Sequence, residues 1–186
     1  MGRDSGSGAD DDRVRRQHSP VKSAAGVIRL EPPAGDREHR ATTLHCAAQH
    51  LWLLRDLAHE VNHRVRILGG PGFGTTLLQQ TISEGSATAF DQAAFPGPPD
   101  PSTQAITPAQ ECALWQKVEP RLSATNLDNL WMFGGPGVPH WTAFTIGYHI
   151  VNDYRNHHSN MSWAQLTAAS ATAILAGSHY QPCPPA

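Results

Sequence analysis

Between Ala41 and Leu68, apolar residues recur at spacings of three and four: Leu44, Ala47, Leu51, Leu54, Ala58, Val61 and Val65. That period is helical, and a strand cannot gather such a set on one face. The spacing predicts one long amphipathic helix over 41–68, with this apolar set as its core face. Thr42 or Thr43 is placed to cap its start, and Gly69, Gly70 and Pro71 to end it.

Within this helix lie His59, Glu60 and His63, in the order H-E-x-x-H. Residues four apart on a helix share a face, about 6 Å apart, so both imidazoles can address one ion. Glu60, one residue on, can reach a water beside that ion without ligating it. The chain has 11 histidines and six glutamates in 186 residues, so chance supplies this pentad only about 0.02 times. The competing interpretation is two surface histidines with Glu60 in a helix-face ion pair.

A catalytic zinc needs a third protein ligand and an open fourth position. Glu84 is the candidate. It falls in "TISEGSATAF", on a second helix expected over 75–94 with Leu78, Ile82, Ala89 and Phe90 as its core. The Gly- and Pro-containing turn at 69–72 lets that helix reverse onto the first. Glu84 has small or apolar neighbours in Ile82, Gly85 and Ala87, and a carboxylate buried there needs a cation.

The rest of the chain also reads as largely helical. Residues 1–25 are polar and charged and are expected to be disordered, because they cannot bury enough surface to offset their ordering entropy. "VIRLEP" suggests a short strand through Val27, Ile28 and Leu30, ended by Pro32 and Pro33. "FPGPPDPSTQAITP" reads as a long Pro-rich loop, a surface excursion or lid. Thr107 and Gln110 form a capping box for a third helix, with Pro108 in its first turn. "WMFGGPGVPH" reads as a loop and "WTAFTIGYHIVNDYR" as a fourth helix, with His157 and His158 near its end. Ser162 and Gln165 form another capping box, opening a last helical segment to about 176. "GGPGFGTT" lacks the lysine of a phosphate loop and reads as a turn.

A net charge of −2 points neither to nucleic acid nor to an anionic membrane surface. No apolar run approaches the ~18 residues of a spanning helix, and no apolar leader precedes the chain, so a soluble, cytoplasmic protein is expected. Cys46, Cys112 and Cys183 are odd in number and lack a C-x-x-C, which predicts free thiols rather than a disulfide or a thiolate zinc site.

H-E-x-x-H followed about twenty residues later by a glutamate in an "E-G-x-A" setting resembles the gluzincin arrangement. The segment "HWTAFTIGYHIVNDYRNHHSNMSWAQLTAASATAILAGSHY" narrows it further. Residues 45–181 are similar to a bacterial family of predicted Zn-dependent proteases. The resemblance implies a mainly α domain over 26–182. In this zincin-like unit the H-E-x-x-H helix packs on the Glu-bearing helix, with one or two short strands as an α+β remnant. It implies zinc held by His59, His63 and Glu84, with Glu60 as general base and Tyr148, in "IGYHIV", as a donor to the oxyanion. His140, His149 and His157 are lesser candidates for that last task. The implied activity is zinc-dependent hydrolysis of a peptide or protein. The alternative is a non-catalytic zinc-bound helical module that binds a protein partner.

Two departures stand out. The aspartate that many gluzincins carry four residues after the ligand glutamate is Thr88 here, and the nearest, Asp91, lies a turn further on. Asp56 offers itself as a substitute. The sheet that zincins place over the active-site helix also has almost no sequence to form it.

Overall fold

The computed structural model describes residues 21–22, 28–29, 34–125 and 129–184, with side chains from residue 49 onward. Its contacts divide into two units, Met1–Ala47 and Ala48–Ala186. The first holds β1 (Val21–Lys22) and β2 (Ile28–Arg29), paired antiparallel with Val21 opposite Arg29. Helix α1 (Ala34–Gly69) starts there and continues into the second unit. Of the tail expected to be disordered over 1–25, Val21 and Lys22 are in strand; the remainder lies outside the described residues, as do Val27 and Leu30 of the expected strand.

Among the described residues, the named elements of the second unit are all helices, with one isolated antiparallel bridge between Gly135 and Val138. α2 (Leu77–Ala94) opens with a capping box in which the Thr76 hydroxyl accepts from the Gln79 N–H. α3 (Pro108–Val118) carries the expected Thr107–Gln110 box. A single turn, α4 (Leu130–Phe133), forms where a loop was expected. α5 (Thr142–His157) matches the fourth expected helix. The expected last segment is two helices, α6 (Trp163–Ala168) and α7 (Ala171–Ser178). They part because the Ser170 hydroxyl accepts from the Ala173 N–H and starts a new helix.

The core is centred on α2 and α5. Ile82, Ile146, Ile150, Val151 and Ile174 are essentially inaccessible. Two glycines permit the crossing. A Cβ on Gly85 would lie 2.2 Å from the Gly147 carbonyl carbon, and one on Gly147 would lie 2.1 Å from the Thr81 oxygen. The helix backbones are therefore in direct contact next to Glu84. The Pro-rich loop is exposed over residues 96–99 and docked after them. Its 3-10 turn at Pro101–Gln104 buries Ser102 and Thr103, and the Ser102 carbonyl accepts the Thr145 hydroxyl at 2.6 Å.

α1 corrects the expected core face. Leu54, Val61 and Val65 are 43–50% exposed, and Leu53, Leu57 and Leu68 are more so. Ala58 alone of the repeat's last four members is buried. From residue 49 onward, the part whose side chains are described and which leaves out Leu44 and Ala47, the buried face is mainly polar instead: Arg55, Asn62, His63 and Arg66. Each finds acceptors that a leucine would strand. Arg55 donates to the carbonyls of Phe95 and Pro98, Arg66 to that of Thr167, and Asn62 to the Thr167 hydroxyl.

The cysteines also depart from expectation. Cys112 on α3 is disulfide-bonded to Cys183, with Cα atoms 4.7 Å apart. A separation of 71 residues carries no local motif, so sequence spacing could not reveal the pair.

Candidate metal centre

His59 and His63 leave α1 one turn apart and meet Glu84 from α2. Their Nε2 atoms are 3.0 Å apart, and Glu84 Oε2 lies 3.2 Å from the first and 3.4 Å from the second. These are the edges of a small triangle. Three ligands at ~2.0–2.1 Å from a tetrahedral zinc are about 3.3 Å from one another. The three donor atoms thus fit zinc in spacing and in kind, two imidazole nitrogens and one carboxylate oxygen.

The outer nitrogens are held as well. His59 Nδ1 faces the acceptor Asp91 Oδ2 at 3.3 Å, and His63 Nδ1 lies within hydrogen-bonding distance of Ser83 Oγ, at 3.2 Å. With Nδ1 carrying the ring proton, each Nε2 lone pair is left for the shared point. The His63 ring packs edge-on against His59 and against Phe73 from the turn that follows α1. Side-chain exposure is 19% for His59, 11% for His63 and 12% for Glu84, so the triad is shielded but reachable.

The electrostatics favour positive charge between these groups. Burial alone would lower the pKa of His59, but Asp91 and Glu84 outweigh it and raise the imidazole to about 9. Burial would raise Glu84, yet hydrogen bonds from His59 and His63 hold it at about 2. Asp91 is raised by burial against the pull of His59. Without metal, an imidazolium on His59 supplies the cation that the acids require.

Ser83 is the site residue that sequence reasoning missed, and Asp91, noted there only as the nearest aspartate, takes the role for which Asp56 was suggested. Asp91 lies seven residues after Glu84. Two helical turns return to the same face, so the signal was present at i+7 rather than i+4. Asp56, the suggested substitute, is exposed.

Glu60 is exposed and has no partner among the described residues. Tyr148 is half-buried against the core and follows Gly147, whose backbone touches Gly85 beside Glu84. Its hydroxyl makes no hydrogen bond to a described residue. The three lesser candidates, His140, His149 and His157, are engaged elsewhere. His140 stacks on Trp141, and His149 pairs with Glu111 at 2.7 Å. His157 and His158 donate to the carbonyls of Asp153 and Tyr154, closing the end of α5.

No curated protein and no solved structure matches this sequence. A family model described as predicted Zn-dependent protease (DUF2268) matches residues 45–176, which include both histidines, Glu84 and all of α2 and α5. The chain belongs to that family.

Proposed function

We propose that this protein is a zinc-dependent peptide-bond hydrolase of zincin-like, gluzincin type. The observation that carries the proposal is the triangle of His59 Nε2, His63 Nε2 and Glu84 Oε2, with edges of 3.0–3.4 Å. These three residues would hold the metal. When bound, zinc supplies Lewis acidity, making water a nucleophile near neutral pH and polarising the scissile carbonyl.

The chain's own residues do the rest. Glu60, adjacent to a ligand and facing solvent, is the general base. It takes a proton as water attacks and returns it to the leaving amine, so the carboxylate is restored each cycle. Asp91 and Ser83 fix the imidazoles so that the metal-facing nitrogens do not rotate away. Tyr148 is proposed as a hydrogen-bond donor to the developing oxyanion. The substrate is an extended peptide or an unfolded protein segment.

A second reading has support in the exposed apolar face of α1: a zinc-bound helical module that binds a protein partner without cleaving it. Casein distinguishes the two. The hydrolase cleaves it, loses activity to a chelator and regains it with zinc. Stoichiometric zinc with no cleavage of casein would leave the binding module standing.

A further inference from the structure

α1 carries an apolar face that the metal centre does not use. Leu54, Leu57, Val61, Val65 and Leu68 stand on it, each 43–69% exposed. All five lie within about 40° of Val61 around the helix and span about 21 Å along it. Leu53 and Ile67 widen one edge. Arg55, Asn62 and Arg66, which meet the chain's own core, lie about 100–140° round the helix from Val61, so that core does not cover the stripe. One exposed leucine is ordinary, but a stripe of this length marks a contact surface.

The order of the residues points to a second copy of this chain. The five are spaced by 3, 4, 4 and 3 residues, which reads the same in either direction from Val61. Turned end over end on itself, the stripe meets apolar residues at every level: Leu54 opposite Leu68, Leu57 opposite Val65, and Val61 opposite its own copy. The charges agree. Glu60 and Arg64 are exposed on one flank of the stripe, and a two-fold axis at Val61 turns that flank toward its own copy. Along it the order becomes the partner's Arg64, Glu60, the partner's Glu60, Arg64, in steps of about 3 Å. Two acids are thus bracketed by two bases, and each Glu60 has a guanidinium from either chain in reach. The acids of the same flank oppose an anionic lipid surface, the other common use of such a stripe.

We propose that this face is the interface of a two-fold dimer, in which α1 pairs antiparallel with α1 of a second copy about Val61. The pairing does not depend on whether the metal centre cleaves peptides. A contact of this length is smaller than a standard interface, so its Kd is on the order of 10–100 μM. At sub-micromolar concentration the chain is monomeric, so truncations on this face weaken association and leave unfolding of the dissociated chain little changed.

Sedimentation velocity of the full chain from about 0.5 to about 500 μM reads the equilibrium, with dimer expected to predominate at the top of the range. Val61→Lys places two like charges on the axis and should weaken association by at least about tenfold. Arg64→Glu should do the same by setting acid against acid. Both positions are exposed, so each variant should keep its fold, which circular dichroism checks. Cysteine cross-linking reads the register in a Cys46→Ser background. Oxidation should link Val61→Cys to its own copy but not Leu54→Cys, whose counterpart lies about 21 Å away along the axis. Monomer at every concentration would overturn the proposal and leave the stripe to another part of this chain or to a different protein. Undiminished dimer in folded Val61→Lys would overturn it too, and so would cross-linking of Leu54→Cys as fast as Val61→Cys.

Discussion

Asp91 Oδ2 lies 3.3 Å from His59 Nδ1, two turns of α2 beyond the carboxylate that meets the same ring's other nitrogen. One face of one helix thus holds both ends of an imidazole. Asp91→Ala frees the ring and loses the acid that fixes its tautomer. Zinc affinity should fall about 10- to 100-fold, while Asp91→Asn, which still accepts a hydrogen bond, should fall less. Competition with a zinc-binding dye measures both. Equal affinity in Asp91→Ala and the parent would show that Asp91 does not position the ring.

Glu60→Gln separates binding from chemistry. The side chain is exposed and unpartnered among the described residues, so fold and metal content should be unchanged. Turnover on casein should drop by about 10²–10⁴, the usual contribution of a general base. Glu84→Gln should instead lose zinc and activity together. Wild-type turnover in Glu60→Gln would remove that residue from the mechanism.

The pH behaviour follows from His59 and Glu84. In metal-free protein, His59 is raised from 6.5 to about 9, so its stabilising contribution is full below 6.5 and lost as pH rises through 9. Glu84 is lowered from 4.5 to about 2, so its contribution is full above 4.5 and lost as pH falls toward 2. Metal-free stability from this pair should therefore be greatest between about 4.5 and 6.5. Zinc must displace the His59 proton, so binding at pH 7 should release about one proton and tighten as pH rises. Calorimetry in Pipes and in Tris reads the proton directly. An identical enthalpy in both, after correction for buffer binding to zinc, would count against a protonated His59.

Cys112 and Cys183 close a loop of 71 residues, which a chain-entropy model values at about 4 kcal/mol. Reduction should lower the unfolding midpoint markedly, and Cys112→Ser should show the same midpoint with or without reductant. A thiol count of one in the unreduced, denatured chain, from Cys46, checks the pairing. Such a bond persists mainly in oxidising compartments, which weighs against the cytoplasmic setting expected from the sequence.

Much of the helical layout was readable because caps and periods are local. Thr107 with Gln110 and Ser162 with Gln165 each mark a helix start within four residues. His59 and His63 are local too, since four residues on a helix fix their separation. What was not readable depends on partners distant in sequence. The polar face of α1 is buried because Arg55 and Arg66 meet carbonyls 40 to 103 residues away, and no periodicity in 41–68 records where those carbonyls lie. The Gly85–Gly147 crossing and the Cys112–Cys183 bond are likewise long-range matches. Asp91 was legible in principle, but only by extending the search along the helix from one turn to two.

The inverted face of α1 leads to a contrast in mutational cost. Leu57 is 60% exposed and Val61 is 46% exposed, whereas Ile82 is inaccessible in the α2–α5 core. Val61 belongs to the apolar repeat of 41–68, whose spacing alone would predict a loss on truncation like that of Ile82. The structure predicts that Leu57→Ala and Val61→Ala each cost less than about 1 kcal/mol. Ile82→Ala should cost about 2–5 kcal/mol, through lost transfer energy and the cavity it leaves. Urea unfolding of the three variants checks the order, using midpoints at unchanged slope. A loss of about 2 kcal/mol or more at Leu57 or Val61 would mean that this face is covered in the folded protein as well as the polar one.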